Sequence, residues 1–162
     1  MSLILVLDNL RSAHNVGSIL RTADAAGIER VVCVGTTPYP HIPDDARPGH
    51  VAARNNKEIA KTALGAEQSV SISYEPGLRA SLNTLRDTGY TIAALEQAER
   101  SMNLFGYKLT SPIALILGNE VDGVAVSALE NTDIILEIPM NGTKESLNVA
   151  VAAGIAMYQL TR

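Results

Sequence analysis

The strongest constraint on this chain is the alternation of short, β-rich apolar runs with stretches of helical periodicity. Leu3 to Leu7 reads as a strand, and the amphipathic segment from Asn15 to Ala26, closed by Gly27, reads as a helix. Arg30 to Gly35 is the next strand. The twenty residues after it hold Pro38, Pro40, Pro43 and Pro48, which predict an absence of regular structure there. Asn56 to Leu64 reads as helix, Gln68 to Tyr74 as strand, Pro76 to Asp87 as helix and Tyr90 to Leu95 as strand. Pro112 to Leu117 is an apolar run of strand length, Val124 to Glu130 a short helix, and Asp133 to Ile138 a last strand stopped by Pro139. From Lys144 to Tyr158 the helical pattern is apolar almost all round, which predicts burial on more than one side. Strands alternating with helices imply an α/β fold, a mainly parallel sheet flanked by helices on both faces.

At 162 residues with 46% hydrophobic content, one domain over 1–162 with one core is expected. Met1-Ser-Leu-Ile-Leu-Val-Leu-Asp8 has neither the basic start nor the long apolar run of a leader or membrane span, so a cytoplasmic protein is expected. A lone cysteine, Cys33, inside Val31-Val-Cys-Val34 reads as a buried strand residue and not as a reactive thiol. His14, His41 and His50 show no metal-ligand spacing, so no metal is predicted. Asn141-Gly-Thr143 matches a glycosylation acceptor, a match without meaning in a cytoplasmic chain.

The net charge of −4 argues against non-specific wrapping of nucleic acid, which needs clustered Lys and Arg. Any RNA contact has to be local. Two segments are candidates: Arg11 to Arg21 with His14, and the stretch carrying His41, Arg47, His50, Arg54 and Lys57, which Asp44 and Asp45 dilute. A solvated loop of mixed charge is the alternative for the second.

In open parallel sheets, ligands bind beyond the carboxyl ends of strands. Leu95-Glu-Gln97, Gly118-Asn-Glu-Val-Asp-Gly123 and Ile138-Pro-Met-Asn-Gly-Thr143 each pass from apolar strand into small or polar loop residues. Their glycines either permit close approach of a ligand or merely close turns. No strand leads into G-x-G-x-x-G, and Gly142-Thr-Lys144 lacks the upstream glycine of a P-loop, which disfavours a nicotinamide or ATP enzyme.

Three ordered segments carry a resemblance. Asn15-Val-Gly-Ser-Ile-Leu-Arg-Thr-Ala-Asp-Ala-Ala-Gly27, Ile116-Leu-Gly-Asn-Glu120 and Ile138-Pro-Met-Asn-Gly-Thr-Lys-Glu-Ser-Leu-Asn-Val149 resemble the three motifs of the SpoU/TrmH RNA 2′-O-methyltransferases. The resemblance implies a SPOUT fold with a C-terminal deep trefoil knot, an exception to unknotted topology. It implies S-adenosylmethionine as cofactor, bent against Leu95, Leu117, Gly118, Ile138, Met140 and Leu147. Arg21 matches the family's catalytic arginine, and Asn15, Glu120, Ser146 and Asn148 match polar residues around the transferred methyl and the target ribose. Ala150 departs from the pattern, which often has a small hydroxyl residue there.

A guanidinium is a poor base, so stabilising developing alkoxide charge, or acting with an RNA phosphate, suits Arg21 better than proton abstraction. For Glu120 a structural role is favoured over general-base chemistry. Ser146 and Asn148 near a helix start also fit ordinary caps. The implied partner is RNA, transfer RNA ahead of ribosomal RNA, and the implied assembly is a homodimer with sites completed across its interface. The rival reading is a knotted RNA-binding module without catalysis.

Overall fold

The first apolar run forms β1 (Leu3–Asp8), buried along its whole length. It sits inside a seven-stranded sheet in the computed structural model, which describes residues 2–162. The remaining strands are β2 (Arg30–Val34), β3 (Ser71–Glu75), β4 (Thr91–Leu95), β5 (Met102–Asn103), β6 (Ile113–Leu117) and β7 (Ile134–Glu137). Their order is β3-β2-β1-β6-β4-β7-β5, and every pairing is parallel.

Alternate residues of the central strands feed two cores, which is why β1, β2, β4 and β6 are near-continuous apolar runs. Leu5, Leu7, Val31, Cys33, Leu115 and Leu117 pack with residues of α1 (Ala13–Ala25), α2 (Gly49–Ala63) and α6 (Val149–Leu160). Ile4, Val6, Val32, Val34 and Ile116 pack with Leu82 and Leu85 of α4 (Leu78–Asp87) and Ala128 of α5 (Val126–Leu129). Burial pushes the Cys33 thiol up to about 12, consistent with an inert core residue. No helix among the described residues is long and apolar enough to cross a membrane, and no three metal-ligating side chains cluster there.

Several boundaries differ from the sequence reading. α2 begins at Gly49, directly after Pro48, and not at Asn56. The proline cluster ends at residue 48, so nothing opposes a helix over 49–55. A one-turn helix, α3 (Ala66–Ser69), takes the start of the segment expected to be strand, and β3 begins only at Ser71. β5 and the 3₁₀ turn Leu104–Gly106 were not legible, because two residues carry no periodicity. Most relevant to function, residues 144–148 are not helical: Asn148 is the N-cap of α6, and Ser146 and Leu147 lie on an irregular loop before it. Within the chain α6 buries one face, through Ala153, Ala156, Met157 and Leu160, and leaves Val151 52% and Tyr158 47% exposed. Burial on more than one side is therefore not met inside a single chain.

Candidate active site

Beyond the carboxyl ends of β4, β6 and β7 lies a cavity of about 700 Å³. Its walls include all six residues expected to hold a cofactor, Leu95, Leu117, Gly118, Ile138, Met140 and Leu147, and four of the expected polar residues, Asn15, Glu120, Ser146 and Asn148. The irregular backbone before α6 carries Ser146 and Leu147 to this wall.

One hydrogen-bonded path joins the three segments. Glu120 accepts from the backbone N–H of Arg11 at 2.9 Å and of Ser12 at 3.1 Å, and from Asn15 Nδ2 at 3.1 Å. Asn15 Oδ1 accepts from Asn148 Nδ2 at 3.1 Å. Asn148 Oδ1 caps α6, accepting from the N–H groups of Ala150 at 2.9 Å and Val151 at 3.3 Å. The donor-acceptor sense is self-consistent, since a carboxylate and a helix N-terminus fix the amides at the two ends. Burial pushes the Glu120 carboxyl up, but the Arg11 and Ser12 N–H groups and the Asn15 amide outweigh it and hold it below the usual range. An ionised carboxylate saturated by three donors is a brace, which supports the structural reading of Glu120.

The loop after β6 is equally fixed. Asn119 and Gly123 exchange backbone hydrogen bonds of 3.1 and 2.8 Å, and Asn119 Oδ1 accepts from the N–H groups of Val121 and Asp122. Asn119 Nδ2 reaches across to the Asn9 carbonyl at 2.8 Å. A Cβ on Gly118 would overlap the Gly123 and Val124 backbone, and Gly123 has a φ of 68°, so both glycines are required. Glu96 ties β4 to this loop, accepting from Val124 N–H at 2.9 Å, while Gln97 Nε2 donates to the Glu145 carbonyl at 2.6 Å. Glu96, Gln97 and Asn119 line the cavity without having been singled out individually; Glu96 and Gln97 were signalled only by their place at a strand end, Asn119 also by its place in the second motif.

Arg21 lies elsewhere. It is exposed on α1, six residues and about 9 Å along the helix from Asn15, and lines a separate recess of about 510 Å³ with Ser18, Thr22, Lys61, Thr62 and Tyr158. One chain thus brings together every expected polar residue except this one.

The two basic segments also divide. Arg47 is withdrawn into the fold: it pairs with Asp45, donates to the Tyr39 and Pro40 carbonyls at 2.8 Å each, and stacks 3.5 Å over the Tyr39 ring. Its side chain is 13% exposed, so it braces the loop and is not free for a phosphate. His50, Arg54 and Lys57 remain exposed on α2.

The model of the SpoU rRNA Methylase family matches residues 2–158. The chain belongs to that family. A 23S rRNA (guanosine-2′-O-)-methyltransferase RlmB of Vibrio parahaemolyticus is 33% identical over 160 residues, covering 99% of this chain and 59% of the relative. The chain spans about three fifths of the length of the curated relatives it matches. Among solved structures, an AdoMet-bound rRNA methyltransferase from Sinorhizobium meliloti superposes with a TM-score of 0.82 at 26% identity, over 98% of this chain and 55% of that one. The A. aeolicus TrmH/SpoU tRNA modifying enzyme does so with 0.80 at 28% identity, over 99% and 74%. Both structures share the parallel α/β architecture described above.

Proposed function

We propose that this SpoU family chain transfers a methyl group from S-adenosylmethionine to a ribose 2′-hydroxyl of RNA. The observation that carries the reading is the cavity beyond β4, β6 and β7. Glu96, Glu120 and Asp122 line it, with no lysine or arginine among the lining residues. That donor set suits a cationic sulfonium bearing an ammonium group and disfavours a phosphate-bearing nucleotide. The AdoMet-bound Sinorhizobium relative supports the same cofactor. When bound, the cofactor supplies an already activated methyl group. The protein's part is then to hold the 2′-hydroxyl in line with it and to lower the cost of removing its proton.

Asn15 and Asn148, fixed by the path to Glu120, position the ribose at the cavity mouth, with Ser146 beside them. Arg21 stabilises the alkoxide that develops, or recruits an RNA phosphate to help. Its separation from the cavity within one chain supports a homodimer in which Arg21 of a second copy completes the site. The exposed Val151 and Tyr158 on α6 supply an apolar face for that interface. The trefoil threading implied by the family resemblance belongs to this reading, supported by a strand order in which β6 lies between β1 and β4 while β7 sits beyond β4.

Transfer RNA is the substrate put forward first, on the likeness to the A. aeolicus tRNA modifying enzyme. Ribosomal RNA is the second reading, favoured by the likeness to RlmB. The test is transfer of labelled methyl to unmodified transfer and ribosomal RNA by wild type and Arg21→Ala, with the product mapped by nuclease digestion and mass spectrometry. A 2′-O-methyl nucleotide made only by wild type is the expected result. Cofactor binding with neither RNA labelled would overturn it in favour of a binding module.

A further inference from the structure

α2 presents His50, Arg54, Lys57 and Lys61 at spacings of four, three and four residues, and all four are exposed. Such spacing puts them on one face of the helix, in a row about 16 Å long. The helix carries only one carboxylate, Glu58, in a chain whose net charge is −4. Glu58 pairs with Lys61 at 2.7 Å and with His14 of α1 at 3.3 Å, but these are surface pairs that a phosphate can displace at little cost. At its C-terminal end the row runs into the recess that Lys61 shares with Arg21, together with the hydroxyl residues Ser18, Thr22 and Thr62.

A glycine makes this junction. A Cβ on Gly17 would overlap the Ile59 carbonyl oxygen and Thr62 Oγ1, so α1 and α2 touch backbone to backbone there. Thr62 Oγ1 also donates to the His14 carbonyl at 2.8 Å. The close crossing sets Lys61 beside Arg21 and joins the cations of two helices into one track.

We infer that this face of α2 is the RNA-binding track of the protein: a phosphate backbone lies along His50, Arg54, Lys57 and Lys61 and is delivered at its end to Arg21. The inference rests on the RNA-methyltransferase reading and deepens it. A protein with a net negative charge that acts on RNA has to concentrate its phosphate contacts, and such contacts position the RNA without reading its sequence. Arg47, withdrawn under Tyr39, takes no part.

The test is fluorescence-anisotropy binding of an unmodified transfer RNA transcript and a ribosomal RNA fragment to the 162-residue chain across a salt series, in parallel with methyl transfer. Arg54→Ala/Lys57→Ala is compared with Arg79→Ala/Lys108→Ala, which removes two exposed cations outside α2. The track variant should bind about tenfold more weakly at moderate salt, with a salt slope flatter by roughly 1.5, as two lost phosphate contacts require. The control pair should leave both unchanged, and both variants should keep the wild-type melting temperature and S-adenosylhomocysteine affinity. Unchanged RNA binding by the track variant, with normal methylation by wild type, would sink the track and leave the enzymatic reading standing. Weakened binding by the track variant, with no methylation by wild type, would keep the track and sink the reaction.

Discussion

The side-chain amide of Asn15 stands between Glu120 and Asn148, donating to the first and accepting from the second, each at 3.1 Å. Through this one residue the start of α1, the loop after β6 and the N-terminus of α6 become a single rigid wall of the cavity.

Asn148→Ala removes both the cap of α6 and the link to Asn15, and should lower stability by about 1 kcal/mol, read by urea denaturation. Asn148→Asp keeps the cap but has no N–H for Asn15 Oδ1 and adds a second negative charge to the path. It should therefore recover most of the stability while cofactor and RNA binding stay impaired. Equal loss of stability in both variants would count against the cap-and-link division.

Glu120 gives a pH signature. Its folded-state carboxyl titrates below the unfolded one, so the stability it contributes is fully present above about pH 4.3 and is lost as pH falls through the folded value. Glu120→Gln turns one acceptor into a donor facing the Arg11 or Ser12 N–H, costing about 1–3 kcal/mol at neutral pH. The gap between wild type and variant should close on acidification. A gap constant down to pH 3 would remove the ionised brace.

Gly118→Ala and Gly17→Ala separate the two sites. The first forces the β6 loop off Gly123 and Val124, and should weaken S-adenosylhomocysteine binding by calorimetry at least tenfold. The second pushes α2 from α1 and should destabilise by roughly 1–3 kcal/mol, with RNA affinity falling more than cofactor affinity.

Arg47→Lys should fail to rescue the loss of stability caused by Arg47→Ala. The guanidinium lies flat on Tyr39, forks onto Asp45 and two carbonyls, and holds the Asp45 carboxyl well below the usual range. An ammonium reproduces the charge but neither the plane nor the fork. Full recovery in a thermal melt would refute that account.

The carboxylates lining the cavity favour cationic ligands. A stable amine analogue of S-adenosylmethionine should bind more tightly than S-adenosylhomocysteine, whose thioether lacks the positive charge at that position, and Asp122→Asn should reduce their affinity ratio by roughly twofold. A ratio insensitive to both the substitution and to ionic strength would show that shape, not charge, governs the site.

By itself the sequence determined the alternation of strands and helices, the parallel sheet and the strand ends at which a ligand could sit. Those properties follow from local periodicity, and from apolar runs such as Val31 to Val34 that are stable only when covered on both faces. Nine of the ten named site residues inside the three motifs, together with Leu95 outside them, line one cavity. Tertiary structure alone decided the rest. It put Arg47 under an aromatic ring, because an ion pair and two carbonyls 7 and 8 residues away in sequence outbid solvent. It unwound residues 144–148, because the Asn148 side chain caps α6 while bonding to an Asn15 that lies 133 residues earlier. And it set Arg21 apart from the cavity and beside Lys61, a juxtaposition made by the close approach of two helix backbones at Gly17, which no periodicity along the chain encodes.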